Sequence, residues 1–216
     1  MTVSWAAKVP GVNPAAVPRQ RAGRPRREGL DEAILDAALA EMSQVGYAQM
    51  SLENVARRAE TTKPTIYARF TSKAGVATAA LESLRLRTPR HRTGHMRADL
   101  IEELTLFRKG ALRAHGTTML GAVLVEQHRN PELLRLFRKH VVEPRRENLR
   151  QILTAGRQAG QLDPEADIEL SITMLIGSLY ASYIANKPTR RDWPEQVVDT
   201  WLRQNAPGRR AARDPA

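Results

Sequence analysis

The chain has 216 residues, a formal net charge of +11 at pH 7 and no cysteine. The lack of cysteine excludes disulfides and thiolate metal sites, and no apolar run reaches the roughly 18 residues that cross a membrane. Strand signals are few, so we expect an all-α fold. The positive charge favours a polyanionic partner. Because the N-terminal sequence lacks the apolar core of a signal peptide, we expect a cytoplasmic protein.

Residues 1–28 are rich in proline, alanine and arginine and show no hydrophobic periodicity. Such a segment buries too little apolar surface to fold alone, so we expect a disordered basic arm. Arg24 and Arg26 are its candidate DNA contacts, because basic arms follow phosphates or enter the minor groove. A tail that only increases solubility remains the alternative.

Two apolar patterns predict the first two helices. The first helix covers residues 31–45 and ends at Gly46, a residue type that commonly terminates helices. The second follows Ser51, which stands at an N-cap position. Its apolar stripe recurs at i, i+3, i+4 and i+7 and consists of Leu52, Val55, Ala56 and Ala59.

A short third helix follows a tight turn. Thr62 can cap it, with Lys63 and Pro64 in the first turn, where the missing N–H of proline costs nothing. Ile66 and Phe70 can anchor one side in a core. The outward face consists of Pro64, Thr65 and Ala68, with Tyr67 on its flank. Because the major groove admits one slim helix, this pair of helices predicts a helix-turn-helix.

The run A-x-x-A-x-T-T-x-P-T-I-Y-x-x-F-x-S-K, from Ala56 to Lys73, resembles the DNA-binding core of the TetR family of bacterial transcriptional regulators. The resemblance implies DNA contacts at Ser51, Thr62, Lys63, Pro64, Thr65, Tyr67 and Lys73. We expect Lys63 to contact a base, because lysine donates to guanine O6 and N7. Tyr67 and Lys73 are expected to bind the phosphate backbone, which fixes register rather than sequence.

The turn departs from the family pattern. Glu60 and Thr61 stand where the family usually has glycine and then an aliphatic residue. Glycine helps where the backbone must become left-handed. We therefore expect a strained or differently shaped turn, with an added negative charge near the DNA-binding face.

The C-terminal part reads as a helical bundle, giving about nine helices in all. A break at Thr88–Gly94 marks the boundary. The expected units are a helix-turn-helix DNA-binding domain at 29–87, a ligand-binding and dimerisation domain at 88–205 and a disordered tail at 206–216. Pro144 should interrupt the helical segment that runs from about Glu132 to Ala159, because its ring removes a backbone hydrogen bond.

Asp163–Pro164 is expected to open the most apolar helix, which runs to about Ala185. Its apolar residues spread over more than one face, and a helix that is apolar on two sides must bury both. One face can meet its own bundle and the other a second copy. A final helix begins near Asp192.

Three stretches of the bundle also resemble the TetR C-terminal domain: Asn130–Leu133, Glu143–Arg146 and Gly177–Tyr180. The resemblance implies a homodimer formed by the last two helices, a near-palindromic double-stranded DNA operator and a small-molecule effector. Candidate effector contacts are Phe107, Met119, Val123, Gln127, Phe137, Leu175, Leu179, Tyr180 and Tyr183. Few charges fall on these inner faces, so we expect an apolar or amphipathic effector.

Other functional classes find less support. The five histidines have no zinc-ligand spacing, and no P-loop, H-E-x-x-H or G-x-S-x-G motif occurs. We therefore expect no catalytic residue, no metal site and no cofactor. Two alternatives remain: a non-specific or architectural DNA-binding protein driven by charge, and a helical adaptor that has lost DNA reading. The sequence does not distinguish repression from activation.

Overall fold

The computed structural model describes residues 29–85, 92–113, 115–128 and 131–208, and within these ranges every regular element is a helix. The expected all-α fold is confirmed. The helices are α1 (Leu30–Gln49), α2 (Leu52–Arg58), α3 (Lys63–Tyr67), α4 (Lys73–Ser83), α5 (Met96–Ala111), α6 (Gly116–Glu126), α7 (Pro131–Phe137), α8 (Glu143–Gln158), α9 (Ile168–Ile184) and α10 (Trp193–Asn205). A π-helical turn, Arg138–Val142, joins α7 to α8. We call α1–α4 the head and α5–α10 the body.

Local capping fixes where the head helices begin. Ser51 Oγ accepts a hydrogen bond from the Asn54 N–H and caps α2, and Thr62 Oγ1 accepts from the Thr65 N–H and caps α3. Both predicted N-caps are confirmed. Each side-chain oxygen satisfies a backbone N–H that the first turn leaves without an intrahelical partner.

One prediction about the helix boundaries of the body is confirmed and one is wrong. The predicted interruption at Pro144 is confirmed, and it takes the form of the π-helical turn directly before α8. Pro144 has no N–H to donate, and in an α-helix its ring clashes with the carbonyl four residues earlier. The i→i+5 hydrogen bonds of a π-helical turn avoid this clash. The predicted start of α9 at Asp163–Pro164 is wrong. Asp163 Oδ1 instead accepts from the Glu165 N–H in a turn, and Asp167 caps the helix.

Two apolar clusters hold the described residues together. The first contains buried side chains of α1–α4 and continues into the body through Met119 and Val123 of α6 and Leu133 and Phe137 of α7. The second lies within the body, between α5, α8, α9 and α10. The boundary predicted between 87 and 88 lies outside the described residues, and the core of the head extends across it into α6 and α7.

A glycine allows close contact between head and body. Gly46 leaves the helical conformation near the end of α1, with φ 76° and ψ 171°, a region of backbone space that is essentially restricted to glycine. A Cβ at this position would overlap the carboxylate of Glu126 on α6. The predicted stop at Gly46 is therefore a change of chain direction against the body.

None of the described helices combines the length and the apolar character that a membrane span requires.

Candidate nucleic-acid interface and body cavity

Helix α3 presents one face to the core and the other to solvent. Ile66 is fully buried in the head cluster. Pro64 and Ala68 are exposed, and Tyr67 is 48% exposed. Residues this small around one large aromatic side chain make a narrow ridge, which matches what the major groove can admit. The predicted orientation of α3 is confirmed.

The turn before α3 is left-handed at the position where the sequence lacks glycine. Glu60 has φ 49°. The Thr61 N–H donates to the Ala56 carbonyl at 2.9 Å and the Glu60 N–H to the Arg57 carbonyl at 3.3 Å. This pair of bonds is the Schellman arrangement, in which the left-handed residue is usually glycine. The backbone at Glu60 is therefore left-handed, a conformation that costs a non-glycine residue about 1–2 kcal/mol.

Lys63, the expected base contact, is held by a carboxylate. Its ammonium group donates to Glu53 Oε1 across the α2–α3 corner, and Ser51 Oγ also donates to the Glu53 carboxylate at 3.0 Å. The hydrogen bond from Lys63 lowers the pKa of Glu53 to about 2. The same hydrogen bond raises the pKa of Lys63. Any base contact by Lys63 therefore competes with Glu53.

Lys73, at the start of α4, is held against the end of α1. Its Nζ donates to the Ala48 carbonyl at 2.9 Å and lies 5.1 Å from the centroid of the Tyr47 ring. An ammonium group has three N–H donors, so this contact leaves others for a phosphate. Lys73 is thus fixed between the start of α4 and the end of α1.

A buried carboxylate on α1 orients α2. The Glu41 side chain is 3% exposed, and Asn54 Nδ2 donates to its Oε1 at 2.7 Å. Arg58 Nε lies 3.4 Å from the other oxygen. Because buried carboxylates are tolerated only when hydrogen-bonded or paired, these contacts tie α2 to α1 in one orientation. Glu41 was not predicted from the sequence, because no local pattern indicates that Asn54 would face it.

The remaining candidate DNA contacts follow from these elements. Ser51 and Thr62 use their side-chain oxygens as caps, and Thr62 Oγ1 also lies 2.8 Å from Thr65 Oγ1. Ser51 thus lies at the start of α2, and Thr62 and Thr65 lie at the start of α3. Arg24 and Arg26 lie outside the described residues.

A partly open cavity of about 150 Å³ lies among the body helices and the end of α4. Three of the candidate effector contacts, Phe107, Phe137 and Tyr180, lie in its wall. The other wall residues are Leu84, Gly110, Ala111, Gly116, Leu120, Val141, Val142, Arg145, Arg146 and Ile176. The two arginines differ from the sequence prediction that few charges fall on these faces. They lie on α8 directly after Pro144, where the π-helical turn resets the helix register.

The other candidate effector contacts lie elsewhere. Met119 and Val123 are buried in the cluster shared by head and body. Leu175 and Leu179 are buried in the second cluster. Gln127 is half-buried just after α6. Tyr183 is 52% exposed, and its hydroxyl lies 3.3 Å from Thr117 Oγ1.

Helix α9 also has an exposed apolar stripe. Leu170, Met174 and Ile184 are 55%, 57% and 84% exposed. They share one face with the small residues Gly177 and Ala181, at the spacing i, i+4, i+7, i+11 and i+14. This spacing is typical of a helix face that packs against another helix. Beside Met174, a groove of about 460 Å³ lies between α9 and α10.

Comparison with known proteins identifies the family. Residues 34–80 match the sequence profile of bacterial regulatory proteins of the tetR family, and residues 90–201 match that of the tetracyclin repressor-like C-terminal domain. The HTH-type transcriptional regulator YdeS of Bacillus subtilis is 30% identical over 166 residues, which cover 75% of this chain and 82% of YdeS. The HTH-type transcriptional regulator Mb1581 of Mycobacterium bovis is 31% identical over 170 residues, covering 77% and 82%.

Solved structures agree with this fold. The TetR family transcription regulator SCO0332 is 25% identical and superposes with a TM-score of 0.55, covering 82% of this chain and 98% of that chain. A TetR transcriptional regulator from Agrobacterium tumefaciens, 15% identical, shares the fold with a TM-score of 0.62 and covers 86% and 99%. The chain therefore belongs to the TetR family and is a DNA-binding transcriptional regulator, not an enzyme.

Proposed function

We propose that this regulator is a repressor that binds a near-palindromic operator as a homodimer and is released when a small molecule fills the body cavity. The observation that carries the DNA-binding part is the exposed outer face of α3. In a two-fold dimer this face occurs twice, and half-sites on the order of 34 Å apart would bring both copies to one side of the duplex. A regulator of genomic DNA would act in the bacterial cytoplasm.

In this proposal the contacts divide between bases and phosphates. Lys63 leaves Glu53 and donates to a guanine edge, while Tyr67 and Lys73 bind the backbone. The Lys63→Ala variant should lose about 1–3 kcal/mol at the operator and relax its sequence preference. The Lys73→Ala variant should weaken binding to all sequences and reduce the salt slope by about 1.

The test begins with fragments of genomic DNA selected on the purified full-length protein. Fluorescence anisotropy then compares the selected duplex with a random duplex, using Lys187→Ala as an exposed lysine variant in the body. Equal affinity for both duplexes would favour an architectural protein, and no binding at low salt would favour an adaptor. If Lys73→Ala changed the preferred sequence, the assignment of Lys73 to phosphate would be wrong.

The dimer part of the proposal rests on the α9 stripe and the neighbouring groove. An apolar stripe on a helix that already buries its other side is stabilised by a second copy, because burial removes this area from water. Met174→Asp should yield monomers by light scattering and weaken operator binding. Val125 is 77% exposed on α6, so Val125→Asp is a matched control that should remain dimeric.

Ligand release would act through the shared wall of cavity and head. Leu84, directly after α4, lines the cavity. Val141 and Val142 of the π-helical turn also line it. Between them, Glu82 Oε1 lies 3.1 Å from His140 Nδ1. A ligand that displaces this wall would move α4, and it would shift the equilibrium by its difference in affinity for the two head positions. A reporter gene under the operator then distinguishes repression from activation.

A further inference from the structure

The composition of the cavity wall disfavours a positively charged ligand. Among the described residues that line the cavity, Arg145 and Arg146 are cationic and none is aspartate or glutamate. A ligand cation would meet two like charges here and no carboxylate from the described wall. It would also lose its water shell without compensation, which is costly for any buried charge.

The two arginines do not favour a negatively charged ligand either, because the protein already engages both. Arg146 donates from Nη2 to Glu169 Oε2 at 2.6 Å and from Nη1 to Thr173 Oγ1 at 3.3 Å. Arg145 is buried with its guanidinium carbon 4.6 Å from the centroid of the Phe107 ring, and it makes a further interaction within the protein. An anion would have to displace existing contacts to obtain a partner of its own, so a neutral ligand is favoured over both ions.

Tyr180 supplies a polar group that the described part of the chain leaves unused. Its side chain lies in the cavity wall and meets the Phe107 ring edge-on at a centroid distance of 5.5 Å. The Tyr183 hydroxyl lies 3.3 Å from Thr117 Oγ1, whereas the Tyr180 hydroxyl makes no hydrogen bond to any described residue.

The state of this hydroxyl suits a hydrogen bond with a ligand. Burial raises the pKa of the Tyr180 hydroxyl, so the group is protonated at neutral pH and can both donate and accept. A largely buried hydroxyl without a partner has given up hydrogen bonds to water. A ligand oxygen that pairs with it restores one of them.

The volume of the cavity limits the ligand to one ring. A cavity of about 150 Å³ holds a single benzene-sized ring, and its opening leaves room for a small substituent. We propose that the effector is a compact, uncharged aromatic compound with one oxygen, whose ring packs against Phe107 and Phe137 and whose oxygen hydrogen-bonds with the Tyr180 hydroxyl. This inference rests on the proposed function, in which the cavity is the effector site.

Four compounds of one planar shape test the charge and the oxygen. Acetophenone is the neutral ketone, isopropenylbenzene is its hydrocarbon isostere, and benzoate and benzamidine carry a negative and a positive head. Calorimetry on the full-length protein without DNA should give acetophenone a dissociation constant at least about tenfold below those of the two ions, because the wall leaves an ion's charge unpaired. If either ion binds as tightly as acetophenone, or acetophenone does not bind at millimolar concentration, the proposal is overturned.

The Tyr180→Phe variant tests the hydrogen bond. It should weaken acetophenone binding about threefold to tenfold, which is the effect of losing one neutral hydrogen bond, and leave isopropenylbenzene within about twofold. Tyr183→Phe changes an exposed tyrosine of the same helix and should affect neither compound. If Tyr180→Phe weakened both compounds equally, or neither, the ligand oxygen would not meet Tyr180 and the proposal would fail.

The Leu120→Trp variant locates the ring. Leu120 is half-buried and lines the cavity, so the larger side chain should fill it and abolish binding of both acetophenone and isopropenylbenzene. Circular dichroism confirms that the variant keeps its helices. Unchanged binding would place the ring elsewhere and overturn the proposal. If Leu120→Trp does not fold, the Tyr180→Phe comparison decides alone, because phenylalanine keeps the ring that packs against Phe107.

The DNA-release assay separates this inference from the proposed function. If acetophenone binds in the cavity without releasing operator DNA, ligand-controlled repression fails and the ligand class stands. If the protein is a DNA-binding dimer that ignores acetophenone, the inference about the ligand fails alone.

Discussion

The interface on α2–α4 and the cavity in the body are built in opposite ways. The interface comes from one continuous stretch, Ser51–Lys73, in which each helix begins at its own cap. The residues of the cavity wall range from Leu84 to Tyr180 and come from the residue that follows α4, from five further α-helices and from the π-helical turn. A locally encoded surface keeps its shape when the rest of the chain varies, whereas a wall of distant residues changes with each helix that moves.

In the proposed mechanism, a DNA-binding surface built from local sequence would work with a ligand site built from distant residues. The two regions are not independent, however, because the head cluster includes side chains of α6 and α7. Packed interiors transmit strain instead of absorbing it. A change in the cavity can thus reach the head without any change in the contacts inside the helix-turn-helix.

The largest expected effect comes from removing the carboxylate that orients α2. Glu41→Ala leaves the Asn54 amide without its buried acceptor and Arg58 without its carboxylate partner, so that Arg58 keeps only its hydrogen bond to Gln44. We expect a loss of about 2–4 kcal/mol in the free energy of unfolding, because breaking a buried pair costs more than the pair contributes. Chemical denaturation measures this loss.

Glu41→Gln is the informative companion variant, since it keeps one acceptor for Asn54 and removes the charge. It should retain part of the stability. If Glu41→Ala were as stable as the wild type, the apolar stripe alone would hold α2. The position of α2 would then depend less on contacts with α1 than the hydrogen bonds of Glu41 indicate.

The contact between head and body gives the next effect. Gly46→Ala forces a residue with a Cβ into a backbone region that costs about 1–3 kcal/mol, and it displaces the Glu126 carboxylate. Thermal unfolding should show a lower midpoint with a single transition, because head and body share a core. Gly121 on α6 has open space around it, so Gly121→Ala should gain about 0.5–1 kcal/mol. Two separate transitions in Gly46→Ala would mean that the head unfolds by itself.

The sequence predicted the head in detail because its signals are local. Caps at Ser51 and Thr62, an apolar stripe and a short third helix all act within one or two turns. The partners of Lys63 and Asn54 could not be predicted in the same way. Glu53 is ten positions from Lys63 and Glu41 thirteen from Asn54, and only the corner between two helices brings each pair together.

The body was less predictable, for a physical reason. Apolar residues at helical spacing identify a buried face and do not say what covers it. Met119 and Val123 are buried against the head rather than in the cavity wall. Pro144 predicted an interruption, but the π-helical turn that brings Arg145 to the wall depends on how α8 packs. A proline and an acidic residue suggested a helix start at Asp163, where the chain forms a turn instead.

A smaller effect is expected within the interface itself. Glu53→Gln removes the carboxylate that holds Lys63, a residue of the proposed DNA-binding surface. Affinity for duplex DNA should rise about threefold to tenfold at low salt, and the gain should shrink as salt screens the charge. Anisotropy with operator and random duplexes measures it, with Glu102→Gln, an exposed carboxylate of α5, as the matched control.

The pH dependence of this contact has a definite sign. The hydrogen bond from Lys63 lowers the pKa of Glu53 from 4.5 to about 2. The carboxylate therefore stays charged at about pH 5 and above, and its contact with Lys63 is lost only as the pH falls through about 2. Lowering the pH from about 8 to 5 should not reproduce the effect of Glu53→Gln. A fall in affinity in Glu53→Gln would show that Glu53 orients Lys63 instead of competing for it.

The smallest effect concerns the turn between α2 and α3. Glu60→Gly places glycine at a left-handed position, which relieves about 1–2 kcal/mol of backbone strain. The greater freedom of glycine in the unfolded chain cancels part of that gain. We expect a net stabilisation of about 0.5–1 kcal/mol by chemical denaturation.

Glu60→Gln separates strain from charge, because glutamine keeps the Cβ and loses the negative charge. If strain dominates, Glu60→Gly is the more stable variant, while both variants gain DNA affinity together. If the two variants have equal stability, the left-handed turn costs little in this protein. The hydrogen bonds of Thr61 and Glu60 to the end of α2 would then be sufficient to hold a turn without glycine. In that case the conformation of this turn would depend on its contacts more than on its residue type, as the shape of the cavity wall does.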